Sequence, residues 1–164
     1  MENGFKKSLE VIFKLENSFL DNNGEIKFAI TDRLAEELGY KSNKNFSKNK
    51  KELLIICYKN YWLENNYFKL EDDDIAAKVF VQALRIGPTN ANQNLQRAYN
   101  LVSEEEIEVD GVVDLETLSA INNSDYRFSL IKLLDIIEGY EYIKMVEKDN
   151  KQKKFLRDWI DELL

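Results

Sequence analysis

The chain has 164 residues, a formal net charge of -7, 44% hydrophobic and 32% charged residues, one proline and six glycines, a composition that fits one mainly helical globule rather than a turn-rich sandwich. Histidine is absent and Cys57 is the single cysteine, which excludes Ser-His-Asp and Cys-His hydrolases, an internal disulfide and a His-ligated zinc centre. With no histidine available, any hydrolytic chemistry falls to carboxylates, and the acidic balance separately excludes the basic field on which non-specific nucleic-acid binding depends.

In chain order, Phe5, Leu9, Ile12 and Phe13 recur at helical spacing, and Glu16 follows on the same face. A carboxylate at the end of an apolar stripe points to the interior or to a cleft. Residues 17–24 are polar and turn-forming, and Ile26, Phe28 and Ile30 then alternate with Glu25, Lys27, Ala29 and Thr31. That alternation predicts a short β-hairpin near residues 22–31. Leu34, Ala35 and Leu38 form a brief helix stopped by Gly39, and Ser47 caps another whose inward positions include Leu53, Leu54, Cys57, Tyr58 and Tyr61. The segment 60–70 is aromatic and reads as irregular. Asp72 or Asp73 begins a stronger helix through Ile75, Ala76, Val79, Phe80, Ala83 and Leu84, closed by Gly87 and Pro88. Its wide apolar face predicts the central core helix.

Ala91, Leu95, Ala98 and Tyr99 share the next helix, followed by an acidic loop at 104–108 and a tight Asp110-Gly111 turn of structural character. Asp114 caps a short helix bearing Leu115, Leu118 and Ile121. Two longer amphipathic helices, about 125–146 and 151–164, flank the lysine-rich run 148–154. The longest apolar stretch, residues 53–57, is too short to cross a bilayer, and the N-terminus lacks the apolar run and cleavage site of a signal peptide. The expectation is therefore a protein with no integral membrane segment, held in the cytoplasm.

The string Glu16-Asn-Ser-Phe-Leu-Asp-Asn-Asn-Gly24-Glu25-Ile-Lys27-Phe28-Ala-Ile30-Thr31, followed by Asn60-Tyr61-Trp62, resembles the glycoside hydrolase family 108 endolysins. Their hallmark is Glu-Gly-Gly-Tyr, a Gly-rich turn and Lys-Tyr-Gly-Ile-Thr. Glu16, Gly24, Lys27, Ile30 and Thr31 match as they stand, whereas Asn17 and Ser18 replace the two glycines and Ala29 the third. The second half is similar to the predicted peptidoglycan domain that follows in that family. There the matching strings are Val79 to Pro88, Leu95-Gln96-Arg97-Ala98, Val109-Asp110-Gly111-Val112-Val113 and Thr117-Leu118.

The resemblance implies an all-α, lysozyme-like fold with a catalytic lobe at 1–72 and a helical peptidoglycan-domain lobe at 73–164, packed as one globular unit. It also implies an N-acetylmuramidase that cuts peptidoglycan glycan strands without metal or cofactor. Such an enzyme acts as a monomer and reaches the periplasm or cell wall after release through a holin. Rivals to hydrolysis are a lytic transglycosylase using Glu16 alone and a non-catalytic peptidoglycan-binding or particle-structural protein.

Glycosidic cleavage needs an acid for the leaving oxygen and usually a second carboxylate to activate water. Glu16, set beside Ile12 and Phe13, suits the acid because desolvation disfavours its charged form. The spacing of Glu16, Glu25 and Thr31 resembles the Glu, Asp, Thr spacing of phage lysozymes, by which Glu25 would polarise the attacking water and Thr31 would hold it. Asp21 and Asp32 compete for the second-carboxylate role, and Thr31 also fits as a helix cap. Tyr61, Trp62 and Tyr67 read either as substrate-binding rings along a sugar groove or as core.

Overall fold

A computed structural model describes residues 4–8, 58–161 and 163. The hairpin expected near 22–31 and the helices expected between 9 and 57 lie outside the described residues. What is described is helical, with no strand among the described residues. Residues 4–8 are helical, and a π-helical turn at Tyr58–Leu63 and a 3-10 turn at Tyr67–Lys69 lead into α1 (Asp73–Ile86) and α2 (Pro88–Asn100). Then come α3 (Leu115–Asn122), α4 (Arg127–Lys148), a 3-10 turn at Asn150–Gln152 and α5 (Lys153–Asp161).

Local chemistry sets the limits of α1. The Asp72 carboxylate accepts from the Asp74 and Ile75 N–H groups at 2.8 and 3.0 Å, satisfying two of the otherwise orphaned first-turn donors. Asp73 and Asp74 add negative charge at the positive end of the helix. At the other end Gly87 takes φ 89°, donates to the Ala83 carbonyl at 2.9 Å and serves as the N-cap of α2, whose first residue is Pro88. The fixed ring torsion of proline suits a first helical position, so Gly87-Pro88 ends one helix and starts the next.

Between its caps α1 buries Ile75, Val79, Phe80, Ala83 and Leu84 almost completely. It packs against α2 and α4, where Leu95, Ala98, Leu130 and Leu134 complete the core. This is the central helix that its wide apolar face predicted. Helix α5 folds back onto α4, with Trp159 against Tyr142 at 5.2 Å between ring centroids and stacked on Phe155 at 5.9 Å. Gly139 permits the approach, since a Cβ there would sit 3.0 Å from Leu163 Cδ1.

The segment 60–70, expected to be irregular, is instead ordered into two tight helical turns. The reason is long-range. Asn66, at φ 58°, donates from Nδ2 to the Val113 carbonyl at 2.9 Å. Asn122 donates to the Lys69 carbonyl and accepts from the Glu71 N–H, both at 3.0 Å. Each bonded pair is separated by about fifty positions in the chain, so the local sequence carries no sign of these contacts.

The Asp110-Gly111 turn has the structural character expected of it. Gly111 N–H donates to Gln96 Oε1 at 2.8 Å, and Gln96 Nε2 donates to Asp110 Oδ1 at 2.8 Å and to the Val112 carbonyl at 3.0 Å. The hydrogen bond from Gln96, joined by one from the Val112 N–H, holds the Asp110 carboxyl below its ordinary ionisation range. Asn92 donates to the Gly111 carbonyl at 2.9 Å and accepts from the Tyr67 hydroxyl at 2.7 Å. Gly111 has φ 82°, and a Cβ there would lie 2.7 Å from Thr89 Cγ2 and 2.8 Å from the Thr89 carbonyl oxygen. Gly111→Ala therefore combines a disfavoured torsion with a backbone clash and should cost about 1–3 kcal/mol. A urea midpoint unchanged in Gly111→Ala would show that the turn relaxes freely.

Candidate functional site

Among the described residues are two grooves of different character. The first, of about 470 Å³, lies where the end of α2, the acidic loop, α3 and the turn before α4 converge. Asn100, the last residue of α2, clasps the loop. Its Nδ2 donates to the Ile107 carbonyl at 2.8 Å and its Oδ1 accepts the Ile107 N–H at 3.0 Å. Ser103 Oγ accepts the Glu105 N–H at 3.1 Å, which turns the chain between the helix end and the clasp. This arrangement puts Glu105 and Glu106 on one wall.

Asp114 caps α3 by accepting the Thr117 N–H at 2.9 Å and so sets Glu116 in the first turn. Beyond α3, Ser124 Oγ accepts the Tyr126 N–H at 3.1 Å, and this short turn adds Asp125 and Tyr126. Glu105, Glu106, Glu116 and Asp125 make no ion pair with any described residue, and no lysine or arginine lines the groove. Among the described residues no group of three or more acidic, cysteine or histidine side chains is placed to hold a metal ion. The site is a wide anionic groove with aromatic flanks.

The second groove, of about 350 Å³, lies between α1 and α4 and is mostly apolar, with Val81, Phe128 and Ile131 in its walls. Most of its charges neutralise one another. Lys7 pairs with Asp74, Arg127 with Asp72 and, at 2.6 Å, with Asp74, and Lys78 with Asp135. Deeper in, Arg85 Nη1 donates to Glu138 Oε1 at 2.6 Å and to the Tyr142 hydroxyl at 2.7 Å, while that hydroxyl donates to Glu138 at 2.5 Å. Burial, with Glu138 beside it, pushes the Tyr142 phenol up despite the opposing effect of Arg85. A carboxylate so held is committed to its neighbours, which marks the trio as structural.

The hydrogen bond from Lys7, with help from Arg127, holds the Asp74 carboxyl below its ordinary value of 3.8. A depressed folded-state value means stability that is present above the unfolded value and lost as pH falls through the folded one. Asp74→Asn should therefore cost about 0.2–1 kcal/mol at neutral pH, the range of a partly exposed pair, and almost nothing at pH about 2. Equal urea midpoints for wild type and Asp74→Asn at neutral pH would contradict the pairing.

Glu16, Glu25 and Thr31, the expected catalytic residues, lie outside the described residues. The three aromatic residues expected to bind substrate are described, and the structure places them in the core. Tyr61, Trp62 and Tyr67 are 3%, 2% and 0% exposed. Trp62 meets Phe5 at 5.3 Å, Phe80 at 5.4 Å and Tyr67 at 6.2 Å between ring centroids, mostly edge to face. Stacking on a pyranose needs an open ring face, and neighbouring rings cover these. The core alternative describes them.

The residues that build the anionic groove were only partly visible beforehand. Glu105 and Glu106 read as part of an acidic loop, Tyr99 as a position shared with Ala91, Leu95 and Ala98 on one helix, and Tyr126 only as part of the helix expected from about 125. A tyrosine on an apolar helix face just before an acidic run was the available clue, since its hydroxyl must find a partner or water.

No curated protein matches the chain. Residues 90–164 match the family model described as Predicted Peptidoglycan domain, a span that begins in α2, runs through α5 and contains the whole anionic groove. The Leu95 to Ala98 and Asp110-Gly111 strings that suggested such a domain fall inside this span, whereas Val79 to Pro88 lies before it. The match supports a peptidoglycan-related protein.

Proposed function

We propose that the protein is a lysozyme-like N-acetylmuramidase of the endolysin kind, hydrolysing peptidoglycan between N-acetylmuramic acid and N-acetylglucosamine. The observation that carries this reading is the peptidoglycan-domain match at 90–164. It follows, in the order of the family 108 endolysins, a segment bearing the Glu16 to Thr31 string. In this reading residues 1–72 supply the catalytic lobe and 73–164 the lobe that holds the polymer.

Glu16 protonates the leaving glycosidic oxygen, Glu25 polarises the attacking water and Thr31 holds it. No metal or cofactor enters. The protein works as a monomer and stays cytoplasmic until a holin admits it to the periplasm or wall. Its net charge of -7 favours thin peptidoglycan over a strongly anionic wall, because like charge slows encounter.

The test is release of soluble fragments from purified sacculi. Solubilisation that persists in EDTA is the expected result. Sacculi that bind the protein and stay intact would favour the non-catalytic alternative, to which the replacement of the two family glycines by Asn17 and Ser18 already points.

A further inference from the structure

The anionic groove contains one group whose chemistry is unfinished. Tyr99 is 6% exposed and lines the groove, yet its hydroxyl makes no hydrogen bond with any described residue. The hydroxyl is not among the fully enclosed polar atoms, so it keeps some accessible surface on a side chain that lines the groove. A hydroxyl on so buried a side chain, without a protein partner, takes one from a ligand or from water. The same groove is lined by Glu105, Glu106, Glu116 and Asp125, none of them in an ion pair, and by Tyr126, which is 41% exposed.

We propose that this groove binds a primary ammonium group of peptidoglycan, an inference that rests on the peptidoglycan reading above. An ammonium is a compact cation with three donors and no acceptor. The groove offers the complement: carboxylate acceptors, the Tyr99 hydroxyl oxygen and an aromatic face suited to a cation. Neutral sugars gain little from four carboxylates, and the carboxylates of the stem peptide would be repelled. A bare metal ion is disfavoured because the carboxylates do not converge closely enough to ligate it. Peptidoglycan presents primary ammonium groups from two sources, the free side-chain amine of an uncrosslinked diamino acid in the stem peptide and glucosamine that has lost its acetyl group.

Calorimetric titration of the full chain with two matched pairs of probes tests the proposal. The first pair is a disaccharide-tetrapeptide muropeptide with a free diamino-acid amine and the same compound acetylated at that amine. This disaccharide lacks the bond a muramidase cuts, so binding is read without turnover. The second pair is peptide-free glycan oligomers, fully acetylated and partly de-N-acetylated, titrated into Glu16→Gln protein.

A free amine should improve affinity by about tenfold or more in at least one pair, as expected for hydrogen bonds to a charged group, and the pair that responds identifies the source. Glu105→Gln/Glu106→Gln should erase most of that preference and Tyr99→Phe, which keeps the ring, should reduce it. Glu104→Gln/Glu108→Gln, with the same change in net charge on the same loop but outside the groove, should preserve it. Equal affinities within both pairs would overturn the proposal, as would a preference that survives in the Glu105/Glu106 variant. Sacculi left intact by a protein that prefers free amines would remove the hydrolase reading alone. Sacculi dissolved by a protein with no such preference would remove the ammonium site alone.

Discussion

Trp62→Ala should destabilise the protein by about 3–5 kcal/mol, the range for deleting a large aromatic side chain from a packed core. Trp62 is 2% exposed and sits among Phe5, Tyr67 and Phe80, so its removal opens a cavity lined by three other rings. Phe5 belongs to the helical residues 4–8, so Trp62 also ties the start of the chain to α1. Urea unfolding measures the loss directly. A sugar-binding tryptophan would behave in the opposite way, weakening glycan binding while leaving the unfolding midpoint in place. Trp62→Phe, which keeps an aromatic ring in the cluster, should recover a large part of the stability.

Glu16→Gln should lower the rate of sacculus solubilisation by about 100-fold or more, the low end of what a positioned general acid contributes. The amide is nearly isosteric and keeps a hydrogen-bonding group, but its N–H protons are far too weakly acidic to be transferred to the leaving oxygen. Folding, read by the urea midpoint, should be preserved. Wild-type turnover by a well-folded Glu16→Gln protein would move the acid elsewhere, and no activity in either protein would leave a peptidoglycan-associated protein without a glycosidase. Glu25→Gln and Thr31→Ala should also slow hydrolysis while glycan binding is retained, because both are assigned to the water rather than to the sugar.

The elements legible in the sequence were those whose limits are set by neighbours in the chain. Asp72 caps α1 through N–H groups two and three residues away, Gly87-Pro88 separates α1 from α2, and Asp114 caps α3. Helix α4 runs to Lys148 and α5 begins at Lys153, each two residues later than expected, where the lysine-rich break contains a 3-10 turn capped by Asp149. The turn at Tyr67–Lys69 was not legible, since Asn66 just before it and Asn122 fix it through bonds to or from partners far along the chain. The aromatic residues show the same limit from another side. Periodicity marked Tyr61 as inward, but only the placement of Phe5 and Phe80 shows that the faces of Trp62 are taken.

The anionic groove was legible as an acidic loop and no further. Its walls depend on the Asn100 clasp on Ile107 and on the turn before α4, which bring together side chains separated by up to 27 positions, from Tyr99 to Tyr126. An acidic run alone reads as a solvated surface. The nearly buried Tyr99 side chain in the same groove, its hydroxyl without a protein partner, separates this run from an ordinary surface loop, and burial is a property of the fold.

The most direct test of the central claim is mass spectrometry of the glycan ends released from purified sacculi by the wild-type protein. Hydrolysis by an N-acetylmuramidase predicts reducing N-acetylmuramic acid ends, released in EDTA as well as in buffer and lost in Glu16→Gln. Anhydro-muramic ends, reducing N-acetylglucosamine ends or no soluble glycan at all would contradict it.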